Sequence, residues 1–287
     1  MNKLSVMTLG FLKETLFPFR ADRDREGLEA RYTAFFRDVK AAGFSGVDLA
    51  SFEVSLLGET FLSETLGSLS LGIASLIHID CFADETGREE CLKRSFAALE
   101  TAKRLSSPVL MLVPESAPPA SQEQVHAALA ASFAPVCARA AELGIVPVFE
   151  DFPDRSLYST RLEEVKALMA CVEGLKLVFD SGNTLFGGEE PLAYLKGLSL
   201  EDIGYVHIKD VVIRKELADE GERLEDGRRG DAVPTGEGII PIAAIMRELD
   251  AKGYRGGCCV EAAPKEGVSR LKGLKTAREY ILNAMGE

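Results

Sequence analysis

The sequence predicts an α/β fold in which eight strand–helix units close into one barrel. Three observations lead there. Short apolar runs alternate with longer amphipathic stretches along the whole chain. The runs are nearly continuous in apolar residues, as parallel strands covered on both faces require. No break in composition divides the 287 residues, and a hydrophobic content of 46% suits a soluble globular chain of that length. The expectation is a single-domain (β/α)8 TIM barrel spanning residues 1–287.

The strands are expected, in order, at Leu4–Leu12, Gly46–Ser51, Ile73–Asp80, Pro108–Pro114, Ile145–Asp151, Leu175–Asn183, Ile203–Asp210 and Arg255–Ala263. Between the first two, Arg25–Ala42 places Leu28, Tyr32, Phe35, Phe36 and Val39 at helical spacing, one apolar stripe. Gln122–Leu143 does the same with Val125, Leu129, Phe133, Val136 and Ala140. Gly43, Gly144, Gly174 and Gly253 stand where helices should stop and turn into strands. The rival architecture, an open doubly wound sheet, calls for a glycine-rich phosphate turn after the first strand. Thr8-Leu9-Gly10-Phe11 is not one. One connection is long: Val211–Gly238 is charged, rich in glycine and without clear periodicity. It leaves the carboxyl end of the seventh strand, the face where barrel active sites are built, and reads as a lid or substrate loop or as a solvated excursion.

Charge narrows the function classes. Lys and Arg total 33 against 45 Asp and Glu, a formal net charge of -12. Such a surface repels phosphate backbones, so nucleic acid is not an expected partner. The densest basic stretch, Arg223–Arg229, is interleaved with Glu222, Glu225 and Asp226. The six cysteines include no C-x-x-C pair, and adjacent Cys258 and Cys259 must point to opposite faces of a strand. No signal-peptide layout opens the chain, and no apolar run reaches the roughly 18 residues of a membrane helix. A reducing, cytoplasmic setting is expected, with no membrane partner.

The last four strands carry the chemistry. They read Val148-Phe149-Glu150-Asp151, Phe179-Asp180-Ser181-Gly182-Asn183, Val206-His207-Ile208-Lys209-Asp210 and Cys258-Cys259-Val260-Glu261. Each apolar run ends in ionisable groups. A carboxylate buried there costs several kcal/mol without a counter-charge, and three at one barrel mouth repel each other. Glu150, Asp180 and Glu261 therefore call for a cation, with neutral His207 completing the ligand set. Taken singly, each has another reading: Asp180 as a helix cap, Glu150 as a partner of Arg155, His207 as a hydrogen-bonded core histidine. Three carboxylates and an imidazole form a hard site suited to one divalent ion, Mn²⁺ first or Mg²⁺, with Zn²⁺ and Co²⁺ also compatible. Lys209 is expected to turn away from His207 toward a neighbouring strand.

These segments, with Gly236-Glu237-Gly238 and the second-strand entry Gly43-Phe44-Ser45-Gly46-Val47-Asp48-Leu49, resemble the sugar phosphate isomerase/epimerase family, the xylose-isomerase-like TIM-barrel superfamily. A Glu is commoner in that family where Asp48 stands. The resemblance covers essentially the whole chain. It implies a metal-dependent reaction on a small sugar, polyol or sugar phosphate. Glu150 and Glu261 would ligand the metal and move a proton beside the substrate carbonyl through a metal-stabilised cis-enediolate. It also implies substrate contacts from His78, Asn183, Arg214 and Glu237. Asn183 stands where free-ketose epimerases often carry His, a form that resembles phosphorylated-sugar members more. Arg214 would take a phosphate or carboxylate, or be an exposed loop arginine; His78 would touch substrate, or bond to Asp80. Members of the superfamily often pair or form tetramers.

An inosose-type dehydratase or a hydroxypyruvate-type isomerase fits the same four ligands, since each abstracts a proton beside a carbonyl. An apurinic endonuclease of the superfamily needs many histidines and a basic surface, and this chain has three histidines. A sugar-binding barrel without catalysis would not need two carboxylates facing the substrate carbon.

Overall fold

The computed structural model describes residues 3–117, 119–152, 154–214, 222–224 and 227–286, with the backbone alone at residues 21, 22, 155, 222 and 223. The barrel strands are β1 (Leu4–Met7), β2 (Gly46–Ala50), β3 (Gly72–Asp80), β4 (Val109–Pro114), β5 (Val146–Glu150), β6 (Lys176–Asp180) and β7 (Ile203–Ile208). An excursion of β8 (Asp210–Ile213), β9 (Glu222–Arg223) and β10 (Arg229–Val233) precedes the last barrel strand, β11 (Cys258–Val260). Around the closed barrel the order is β1-β11-β7-β6-β5-β4-β3-β2, and every pairing is parallel. All eight expected strands are present. The first is shorter than expected because the chain turns into a 3-10 helix at Leu9–Phe11.

Strand alternation divides the apolar residues into two layers. Met7, Ile77, Met111, Val148, Val178 and Tyr205 point inward and fill the barrel. Val6, Val47, Leu110, Phe149, Phe179 and Val206 point outward against the helices. Each fully buried side chain of this size contributes roughly 1.5–3 kcal/mol. Cys258 belongs to the outer layer and Cys259 to the inner one, as alternation requires.

Helix boundaries follow local chemistry. The helix Arg25–Ala41 starts where Asp24 accepts the Gly27 N–H, and it buries the expected stripe from Leu28 to Val39. Gly43 follows at φ +90°, where a Cβ would also press on the Arg278 guanidinium at 3.1 Å. Gln122–Leu143 opens on a Ser121–Gln124 capping box and closes on Gly144 at φ +71°.

The excursion, which showed no clear periodicity in sequence, carries strands of its own. In the described part of Val211–Gly238, β8 and β10 pair antiparallel, with Val211 opposite Ala232 and Ile213 opposite Gly230, and β9 pairs beside β10. The alternation Val211, Val212, Ile213 is too short to stand out in a sequence this charged. Residues 215–221 and 225–226 lie outside the described residues.

Candidate metal centre

The four strands β5, β6, β7 and β11 converge because parity and register agree. Val148 and Glu150, Val178 and Asp180, Tyr205 and His207, and Cys259 and Glu261 are i, i+2 pairs, so each ionisable group inherits the inward direction of its apolar predecessor. Asp180 lies level with His207, and His207 level with Cys259.

The resulting cluster is tight. His207 Nδ1 lies 2.8 Å from Glu150 Oε1, 3.1 Å from Glu261 Oε1 and 3.9 Å from Asp180 Oδ2. One ligand atom from each residue falls within 4.8 Å of all the others. Donors about 2.1 Å from a shared ion lie about 3–4 Å apart, so the spacing fits a divalent cation. Asp180 and His207 are fully buried, and Asp180 Oδ2 has no hydrogen-bond partner. The other oxygen, Oδ1, accepts the N–H groups of Gly182 and Asn183 at 2.7 and 2.8 Å. Asp180 therefore does cap the following turn, with one oxygen, while the second faces the cluster. The Arg155 side chain lies outside the described residues; the described partner of Glu150 is His207.

Electrostatics set the same requirement. Burial pushes the Asp180 carboxyl up to about 7, against the opposing pull of Lys209. Burial also lifts Glu261, but Lys209 and His207 outweigh it and hold that carboxyl at about 2. Burial alone would lower His207; hydrogen bonding to Asp48, Glu150 and Glu261 instead raises it well above its ordinary value. Asp151, fully buried, accepts the Asp180 N–H at 3.1 Å, and burial beside Asp180 and Glu150 raises its carboxyl well above the ordinary range.

Two members were not foreseen. Lys209 was expected to turn away, but residues two apart on a strand share a face. Its Nζ lies 2.9 Å from Glu261 Oε2 and 3.7 Å from Asp180 Oδ2, and it donates to Asn183 Oδ1 at 3.0 Å. That parity was readable. Beneath the cluster, Asp48 Oδ1 accepts from Ser5 Oγ at 2.6 Å and Tyr205 Oη at 3.0 Å, while Oδ2 lies 3.6 Å from His207 Nε2. An Nε2–H directed at Asp48 leaves Nδ1 free to serve as the ligand. Asp48, His207 and Cys259 also form a compact trio, but burial pushes the Cys259 thiol far up, so it acts as an apolar filler.

Of the residues expected to contact substrate, the structure brings only Asn183 to the cluster, buried and bonded to Lys209. His78 lies away from the cluster: Ile77 and Ile79 take the inward positions of β3, and His78 sits between Ser51 Oγ (3.4 Å) and Ser95 Oγ (3.2 Å), with Asp80 Oδ2 3.6 Å from its Nε2, the alternative reading of this residue. Arg214 is tied to Asp231 across β8 and β10. Glu237 is exposed and paired with Lys265 at 2.7 Å. The Gly236-Glu237-Gly238 motif instead wraps the Asp210 carboxylate, which accepts the N–H groups of Gly236 and Gly238 at 2.8 and 2.9 Å.

Above the cluster lies a cavity of about 510 Å³ in the barrel mouth, lined by Glu150, Lys209 and Glu261 on one side. The family described as xylose isomerase-like TIM barrel matches residues 36–283. The chain belongs to that family. Among curated relatives, the inosose dehydratase of Clostridium perfringens is 34% identical over 127 residues, 42% of this chain and 42% of that one. The chain spans about half the length of the curated relatives it matches. Among solved structures, the IolI protein with a binding zinc atom superposes with a TM-score of 0.77 at 17% identity, covering 99% of this chain and 98% of that one. D-psicose 3-epimerase with D-tagatose from Clostridium cellulolyticum superposes at 0.75 and 13% identity, covering 99% of both. At such identities these likenesses show the barrel fold and no more. Among the described residues no helix is long and apolar enough to cross a membrane.

Proposed function

We propose that this protein is a divalent-metal-dependent enzyme that moves a proton at the carbon beside a carbonyl of a small sugar or polyol. The observation that carries the reading is a division of labour within the cluster. Glu150 and Glu261 line the mouth cavity, whereas Asp180 and His207 are fully buried beneath it. Glu150, Asp180, His207 and Glu261 would hold the ion. When bound, it would polarise the substrate's carbonyl and hydroxyl oxygens and favour the enediolate, as a Lewis acid. The oxygen-rich donor set favours Mn²⁺ or Mg²⁺ over a thiolate-seeking ion, and Zn²⁺ is compatible.

The chain's own residues supply the rest. β5 and β11 are separated by β7 and β6 around the barrel, so Glu150 and Glu261 approach the cluster from different strands. One carboxylate takes the proton and the other acid returns it, the arrangement an epimerase or isomerase needs. Lys209, bridging Glu261 and Asn183, fixes the Glu261 carboxylate in one orientation.

A second outcome of the same first step is dehydration, and a specific observation favours it. The curated relative at 34% identity is an inosose dehydratase. An elimination needs a proton for the departing hydroxyl, and Lys209 lines the cavity beside Glu261. The six cysteines are free thiols, in keeping with a reducing compartment.

The test incubates the metal-loaded protein in D₂O with an inosose and with D-tagatose, read by NMR and mass spectrometry. Deuterium entering beside the carbonyl supports the proton transfer, and a product lighter by one water identifies the dehydratase. Absence of both with every polyol ketone tried removes the reading.

A further inference from the structure

Glu53, in the helix Ser51–Leu57 that follows β2, is fully buried, and no cation pairs with it among the described residues. Its carboxyl instead meets three donors from three elements. Oε1 accepts from Tyr32 Oη at 2.6 Å, in the helix Arg25–Ala41. Oε2 accepts the Ala50 N–H at 2.9 Å at the end of β2, and lies 2.6 Å from Oγ1 of Thr8, just past β1. Burial lifts this carboxyl above its ordinary range, with the three hydrogen bonds opposing. An apolar side chain would fill the same space without that cost, so packing alone does not call for an acid here.

One of the three branches continues to the metal centre. Thr8 Oγ1 lies 3.0 Å from the carbonyl oxygen of Asp48, and the Thr8 N–H donates to the same oxygen at 3.1 Å. Thr8 thus holds the Asp48 carbonyl, while Glu53 holds the N–H of Ala50 two residues later. The side chain of Asp48 faces His207, with Oδ2 3.6 Å from Nε2. Glu53, Thr8 and Asp48 are all fully buried, so solvent is not at hand to replace a lost bond. The Tyr32 branch runs the other way and ends in the helix layer, where Tyr32 packs on Phe36.

We propose that Glu53 and Thr8 are positioning residues for the metal centre: they clamp the carboxyl end of β2 so that the Asp48 carboxylate stays set against His207. The role rests on the function proposed above and adds to it two residues outside the ligand set. Removing the Thr8 hydroxyl with little change of shape takes one of two contacts from the Asp48 carbonyl and loosens the carboxylate that orients the imidazole. Removing the Tyr32 hydroxyl also costs Glu53 one bond, but leaves the path to Asp48 intact. Glu53→Gln can keep all three contacts. Its amide oxygen accepts from Thr8 and Ala50, and its amide N–H donates to the Tyr32 hydroxyl.

The experiment is a Mn²⁺ titration of the full chain against a chelator of known affinity, with melting temperatures measured on the same samples. It compares the wild type with Thr8→Val, Thr8→Ser, Tyr32→Phe and Glu53→Gln. Thr8→Val is expected to weaken metal binding by about tenfold. Thr8→Ser and Glu53→Gln, which keep the contacts, should bind as the wild type does. Tyr32→Phe should lower the melting temperature and leave metal affinity unchanged. A Thr8→Val protein with wild-type affinity overturns the proposal, because the network is then structural alone. So does a Tyr32→Phe protein that loses as much affinity as Thr8→Val, because the loss then follows general destabilisation. Loss of metal from folded Thr8→Ser or Glu53→Gln also overturns it, since neither variant breaks the clamp. In each of these cases the wild type still binds Mn²⁺, and the function proposed above stands. A wild type that binds no metal removes that function, and this role with it.

Discussion

The Oδ2 atom of Asp48 lies 3.6 Å from Nε2 of His207; both residues are fully buried, and neither atom has a hydrogen-bond partner. Ser5 and Tyr205 hold the other Asp48 oxygen, so the carboxylate cannot swing away. With a metal bound, a proton on Nε2 would face Asp48 and leave Nδ1, on the cluster side, to serve as the ligand. Replacing Asp48 with Ala is expected to weaken metal binding by about 10–100-fold, as loss of the partner of a metal-bound histidine does. Asp48→Asn should keep more of the affinity, because its amide oxygen can still accept from Nε2. Competition with a chelator of known affinity checks this. Unchanged affinity in Asp48→Ala would reduce Asp48 to an anchor for Ser5 and Tyr205.

Lys209 makes a different prediction. Its ammonium is the positive charge nearest Glu261 and one of the forces that hold that carboxyl at about 2. In Lys209→Met one positive charge leaves the site, so metal affinity should rise, by roughly 10-fold, while turnover falls because Glu261 and Asn183 lose their tether. Metal titration and deuterium exchange, run side by side, separate the two effects. A variant that loses metal would show that Lys209 supports the ligand set.

Glu150→Gln and Glu261→Gln keep shape and remove the proton-carrying charge. At saturating metal each should slow exchange beside the carbonyl by at least ~10²-fold, with little change in the melting temperature. Full activity in either variant would remove that residue from the proton transfer.

Much of this was legible before folding. The eight strands stand out because parallel strands covered on both faces are almost purely apolar, and Glu150, Asp180, His207 and Glu261 stand out against them. Direction was harder to read. His78 sits at the carboxyl end of β3 as expected, yet Ile77 and Ile79 own the inward positions, so it faces helices. Lys209 was misjudged by that same parity in reverse. Asp48 was hidden for a deeper reason. Its partner Tyr205 is 157 residues away, and the two meet only when the barrel closes through β1 and β11. The Gly236-Glu237-Gly238 motif reads as a functional loop, but its glycines are set by Asp210: a Cβ at Gly238 would meet Asp210 Oδ1 at 2.1 Å.

Burial pushes His78 below its ordinary value, with Asp80 opposing and Arg94 adding to the shift. The unfolded chain takes up a proton at this residue below about pH 6.5, whereas the folded chain does so only at lower pH. Within that window the unfolded state holds more protons, so His78 makes stability fall as pH falls. Denaturant midpoints of the wild type and His78→Gln between pH 7.5 and 5 should therefore converge or cross as the medium acidifies. Parallel curves would show that His78 does not contribute to the pH dependence.

The most direct measurement is elemental analysis of the protein loaded with Mn²⁺ and desalted, beside Asp180→Ala and His207→Ala treated in the same way. One ion per wild-type chain and loss of the ion in both variants is the expected result. No retained ion in the wild type, and no thermal stabilisation on adding Mn²⁺, Mg²⁺, Zn²⁺ or Co²⁺, would make Glu150, Asp180, His207 and Glu261 a buried polar cluster and nothing more.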